Sequence, residues 1–142
     1  MIIIISAAAA AFGFGIFFNL RGKKLAAASV GGAVGWLVYM LIAPYGEFLQ
    51  YFAAAIAITV YSEIMARIQK APSAIYLAPA LIPLVPGGTI YEAMLYAIKN
   101  MNTIFLSTGI RALIITGALT LGIVTTASAA RLITMLRSHR IH

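Results

Sequence analysis

The chain predicts an all-α, polytopic membrane fold of about five transmembrane helices, one of them broken by proline and glycine, with the N-terminus outside and the C-terminus inside. Three observations predict it. Hydrophobic residues make up 63% of the 142 positions and charged ones only 9%, against roughly 25% charged in soluble domains, and mean hydropathy is +1.01. The apolar residues fall into runs near the roughly 20 residues that a helical crossing needs. The bases then sit at the ends of those runs rather than within them. Four or five crossings with short loops use up the length, so residues 1–142 read as a single transmembrane domain.

The first span covers 2–20. Its opening, "MIIIISAAAAAFGFGIFF", has an apolar stretch but no basic n-region, so it reads as a retained helix rather than a cleaved signal peptide. Arg21, Lys23 and Lys24 follow it. The second span is 25–43 and the third 48–66, the latter followed by Arg67 and Lys70. A broken segment occupies 73–87, an amphipathic helix 89–101, and a last span 112–130, after which come Arg131, Arg137 and Arg140. Five crossings put every one of these basic clusters on the inner side, as the positive-inside rule requires. A re-entrant 73–87 would instead carry the arginine-rich tail outside, against that rule.

The net charge of +7 is therefore topological. The bases form no patch or stripe of the kind nucleic acid binding demands, so the partner surface is the lipid bilayer, and no nucleic acid is expected. The chain has no cysteine, which excludes disulfides and thiolate metal sites, and no metal or other cofactor is expected. It has no aspartate, no HExxH helix and no Gly-x-Ser-x-Gly elbow. Metal-assisted, paired-carboxylate and acyl-serine chemistry lack their parts, and the chain does not read as an enzyme.

Small residues recur every fourth position: Ala7, Ala11 and Gly15; Ala27, Gly31 and Gly35; Ala118, Gly122, Thr126 and Ala130. Lipid supplies no hydrophobic drive between helices, so such stripes are where close van der Waals packing holds a bundle together. Packing within the chain is the simpler use of each stripe. Three striped helices in so small a chain also suit a homo- or hetero-oligomer.

The stretch "APALIPLVPGGTIYEA", residues 78–93, interrupts this pattern. Pro79, Pro83 and Pro86 are spaced by four and three, which on a helix places them on one face. Each lacks an N–H and so frees the carbonyl four residues earlier, those of Ile75, Pro79 and Ile82. An unsatisfied carbonyl is costly in hydrocarbon, so such backbone must face protein or a wet cavity. Gly87 and Gly88 end the segment, and Thr89 with Glu92 three residues on fits a capping box for a new helix. That helix carries Glu92, Tyr96 and Lys99 on one face and Ile90, Ala93, Ala97 and Met101 on another. Two half-helices meeting at Pro86-Gly87-Gly88, one with free carbonyls and one with a positive N-terminal end, have the layout of transporter substrate sites.

On "PALIPLVPGGTIYEAM" and the order of short hydrophobic spans around it, the chain resembles the small membrane domain of the threonine/serine exporter family, found also as the small subunit of a two-subunit succinate exporter. The resemblance covers nearly the whole chain. It implies a multi-pass protein of a prokaryotic cell membrane that exports small hydrophilic metabolites, threonine and serine or a dicarboxylate such as succinate. It further implies an ion gradient as driving force and a larger membrane subunit of the same family as partner.

The remaining candidates are charged or aromatic. Glu63 has Arg67 one turn on, which suits an ion pair, or it is a proton-coupling carboxylate. Glu92 completes the capping box or serves as a gate beside the Gly-Gly break. Arg111, about 30 Å from Arg131 along a helix, snorkels at the outer interface or holds a substrate carboxylate. Tyr91 joins Pro79, Pro83, Pro86, Gly87, Gly88, Glu92 and Arg111 in the candidate substrate site, while Tyr96 and Trp36 read as belt or packing residues. His139 and His142 lie in the basic tail without an assigned role. The competing function is a structural or assembly subunit with no transport path of its own.

Overall fold

The computed structural model describes residues 1–139, and side chains as far as 136; of the basic tail, the side chains of Arg137 and His139, together with Arg140 and His142, lie outside the described residues. Six α-helices follow in order: α1 (Ile2–Phe17), α2 (Lys23–Leu41), α3 (Glu47–Ile68), α4 (Ala74–Leu81), α5 (Gly87–Ile98) and α6 (Asn102–His139). Short 3₁₀ turns at Ala43–Tyr45 and Ile82–Leu84 complete the structure, and no strand occurs among the described residues. Helices α2, α3 and α6 are each long and apolar enough to cross a membrane, and α4 with α5 forms a pair bent by 48°, in length and composition a broken span or a re-entrant loop. Helix α1 is apolar but has 16 residues, about 24 Å.

The helix ends follow from backbone chemistry. Asn19, Lys70 and Asn100 have φ of 59°, 48° and 57°, the left-handed conformation that terminates helices. Each is followed by an N–H that reaches back five residues: Leu20 to the Gly15 carbonyl at 2.9 Å, Ala71 to Ala66 at 3.0 Å, Met101 to Tyr96 at 3.0 Å. These Schellman closures satisfy the last carbonyls of α1, α3 and α5. The first span consequently stops at Phe17 rather than at residue 20.

Helix α2 is the centre of the bundle because it presents a different glycine to each neighbour. A Cβ at Gly32 would lie 2.6 Å from the Ala11 Cβ and 3.0 Å from the Ala7 carbonyl oxygen of α1. One at Gly31 would lie 3.1 Å from the Ala80 Cβ of α4. At Gly35 it would collide with Ile58 of α3. Gly122 of α6 seats against Ala55 and the Phe52 carbonyl of α3 in the same way. The small-residue stripes are thus used within the chain, and between them lies a core of Ala54, Ala55, Ile58, Ala80, Leu84, Ile115 and Leu119. Backbones this close gain dispersion contacts that larger side chains would prevent.

Helix α6 begins at Asn102 and runs for 38 residues, about 57 Å, so the expected span 112–130 is the middle of a longer helix. Arg111 falls inside that helix rather than at its start. Helix propensity continues through it, since the stretch holds no proline and only isolated glycines. The N-terminal part of α6 packs against α5, burying Ala93 and leaving a groove lined by Ile90, Met94, Phe105, Leu106 and Leu113.

Candidate functional site

The three prolines do not share the face of one helix. Pro79 lies inside α4, Pro83 in the 3₁₀ turn, and Pro86 at the N-cap of α5. Between the last two, Val85 is extended, with φ −63° and ψ 129°, as expected for a residue preceding proline. That single residue ends the helical path. The tightened turn also takes back one of the carbonyls expected to be free: Ile82 accepts the Val85 N–H at 3.2 Å, and Leu81 shares it at 3.2 Å. Ile75 and Pro79 remain the positions whose i+4 residue has no N–H to offer.

The capping box does not form either. Helix α5 starts at Gly87 with Pro86 as N-cap and no side-chain cap hydrogen bond, so Thr89 and Glu92 lie within its first turns. The Gly87 N–H donates to the Val85 carbonyl at 2.7 Å across Pro86, a γ-turn, and the Pro86 carbonyl then accepts the Ile90 N–H at 3.0 Å as the first helical bond, so the helix opens two residues before Thr89.

Pro79 and Pro86 are buried, and Pro83 lines a small cavity of about 180 Å³ with Ile3, Ser6, Ala7, Ala10 and Trp36. The Trp36 indole N–H is buried and has no hydrogen-bond partner. A buried unpaired donor is costly, so one at a residue bordering the broken helix is a feature of the site. Trp36 also begins an aromatic ladder, its ring 5.0 Å from Tyr39, which lies 4.9 Å from Tyr51. The sequence offered Trp36 as a packing residue, yet its spacing of three from Tyr39 puts both on one side of α2.

On the other side of the break the surroundings are open. Gly87 and Gly88 are exposed and a Cβ at either would meet nothing within 4 Å. Tyr91 is 67% exposed, Glu92 is exposed, and neither of the described ion pairs includes Glu92.

Arg111 sits apart from the break and grips a carboxylate of the chain itself. Its Nη2 and Nε donate to Glu47 at 2.7 and 2.9 Å, a bidentate geometry that suits guanidinium. Glu47 occupies the first turn of α3, where the helix end favours negative charge. The sequence reading passed over Glu47, although an acid at the start of one helix and an arginine early in another that runs parallel to it was the available signal. With side chains 62% and 32% exposed, the pair belongs with those contributing about 0.2–1 kcal/mol. A double-mutant cycle of Glu47→Gln and Arg111→Gln, read by thermal unfolding in detergent, is expected to return a coupling in that range.

Glu63 pairs with Arg67 at 3.8 Å, and Arg67 also donates to Thr134 of α6 at 3.3 Å. Glu63 and Arg67 border a cavity of about 200 Å³ between α3 and α6. Pro83 is thus brought together with Trp36, the glycines lie with Tyr91 and Glu92 on the open side, and Glu63 and Arg111 are each held by a partner of their own. Among the described residues no group of histidines, cysteines or carboxylates could hold a metal ion.

No solved structure matches the chain. The family model described as threonine/serine exporter, ThrE, matches residues 3–129. With an all-helical bundle of membrane-crossing length and a proline-glycine break on the matched segment, the chain is a multi-pass membrane transporter that belongs to the threonine/serine exporter family.

Proposed function

We propose that this chain forms the membrane path of an exporter that carries a small hydrophilic, carboxylate-bearing metabolite out of a prokaryotic cell. The substrate is threonine and serine or a dicarboxylate such as succinate, the driving force is an ion gradient, and a larger membrane subunit of the same family completes the transporter. The chain crosses the membrane five times, N-terminus outside and C-terminus inside, as its basic residues favour. It works as an oligomer.

The observation that carries this reading is the break at Val85–Pro86, beside which Gly87 and Gly88 lie in open surroundings. Interrupted helices of this kind mark the solute position in transporters, and Trp36 contributes an unpaired donor close to it. The chain has no native cysteine, so single cysteines report cleanly. At Gly87, Gly88 and Tyr91 each is expected to react with a water-soluble thiol reagent, and substrate is expected to slow the reaction. Uniform inertness at all three positions would return the chain to the role of structural subunit. Efflux of threonine, serine and succinate from cells lacking their own exporters, with and without the larger subunit, then names the substrate.

A further inference from the structure

At the end of the bundle that carries Arg21, Lys23 and Lys24, a cavity of about 910 Å³ opens between the ends of α1, α2, α3 and α4. Its lining combines three cations, Arg21, Lys23 and Lys24, with the amides of Asn19 and Gln69 and the apolar Leu20, Ile68 and Ile75. None of the chain's three glutamates borders it. Glu47 is held by Arg111, Glu63 faces the α3–α6 cavity with Arg67, and Glu92 lies on α5. The two described ion pairs involve none of the three cations.

The backbone adds to the same sign. Lys23 and Lys24 open α2, whose first turn holds no acidic residue and whose N-cap, Gly22, offers no side-chain hydrogen bond. Cations at a helix N-terminus oppose the helix dipole, so this end is charged against its own backbone preference. At the nearby ends of α1 and α3 one carbonyl each is taken up, Gly15 by the Leu20 N–H and Ala66 by the Ala71 N–H. The cavity wall is also fixed in place. Gln69 donates to the Lys23 carbonyl at 3.4 Å and accepts from the Tyr76 hydroxyl at 3.2 Å, tying α2, α3 and α4 together below the cations. Tyr76 is fully buried, so the anchor that holds Gln69 is itself fixed.

We infer that this cavity is an oxyanion-binding vestibule on the inner face, taking a carboxylate or a phosphate. Two sources supply that chemistry: a soluble carboxylate metabolite and the phosphate of an anionic lipid headgroup. Cations lining a concave site with no acidic side chain concentrate anions and repel cations. The inference does not depend on the proposed path at the helix break, since it concerns different residues and is read without transport.

The test uses Ile75→Cys as the chain's only cysteine, purified into nanodiscs of zwitterionic phosphatidylcholine. An anionic sulfonate-bearing thiosulfonate is expected to modify it about tenfold faster than a cationic trimethylammonium analogue, with no such preference at Gly87→Cys. Adding Arg21→Gln, Lys23→Gln and Lys24→Gln is expected to abolish the preference, whereas Lys23→Arg with Lys24→Arg retains it, separating loss of charge from loss of fold. Succinate in solution, or phosphatidylglycerol in the disc without soluble oxyanion, is expected to slow the anionic reagent, and whichever does so names the source. Equal rates for the two reagents, a preference that survives removal of all three cations, or no protection from either source would overturn the inference. These results are independent of Gly87, Gly88 and Tyr91 reactivity, so the vestibule and the transport path stand or fall separately.

Discussion

Gly122→Leu is expected to prevent the bundle from closing. A Cβ at this position would lie 2.7 Å from the Ala55 Cβ and 2.8 Å from the Phe52 carbonyl oxygen. Neither neighbour can rotate away, since one is a Cβ and the other is main chain. Accommodating even alanine requires α3 and α6 to separate along the contact that buries Ala118, Ile115 and Leu119. Overpacking of a close contact costs about 1–3 kcal/mol, which is the loss expected for Gly122→Ala, and leucine adds bulk with no space to receive it. Gly117 on the same helix is the matched control, because a Cβ there meets nothing within 4 Å. Gly117→Leu is expected to be neutral or to stabilise α6 by up to about 1 kcal/mol through helix propensity. Thermal unfolding in detergent, with the yield of monodisperse protein, checks both. Equal behaviour of the two variants would mean that α3 and α6 do not approach as closely as described.

The second large effect concerns export itself. Pro83→Ala and Gly88→Leu are each expected to reduce efflux at least about tenfold while the protein remains inserted and folded. Pro83→Ala restores a backbone N–H that can bond the Pro79 carbonyl and draw the turn toward a regular helix. Gly88 has no neighbour within 4 Å of where a side chain would begin, so leucine there fits the fold and any loss is a loss of access. Efflux from cells, normalised to membrane-inserted protein, makes the measurement. Normal efflux from both would remove the helix break from the transport mechanism.

The bundle was legible in the sequence for a simple reason. Membrane helices need long apolar runs, and the fourfold spacing of Ala7, Ala11 and Gly15 or of Ala27, Gly31 and Gly35 marks helix contacts whatever the neighbour. All six of those residues are buried. What the spacing could not assign was the partner of each stripe, or that Gly32 forms a second close contact beside Gly31, because that depends on how the helices are arranged in three dimensions. The broken segment was legible as a break and misread in detail. Proline spacing assumes one continuous helix, and a single extended residue, Val85, invalidates it. Glu47 was passed over because its partner is 64 residues away, and the vestibule because its lining comes from three separate chain segments that look in sequence like ordinary positive-inside signals.

Helix α6 has no proline anywhere in its 38 residues, so it has no built-in joint. One end packs with α5, next to the helix break; the middle rests on α3 through Gly122; the other end receives Arg67 at Thr134. Such a helix behaves as a push rod. Rocking it by about 10° about its midpoint would carry each tip about 5 Å in opposite directions, so the α5–α6 hairpin and the Arg67–Thr134 contact are mechanically one object, and neither end can shift without the other registering it.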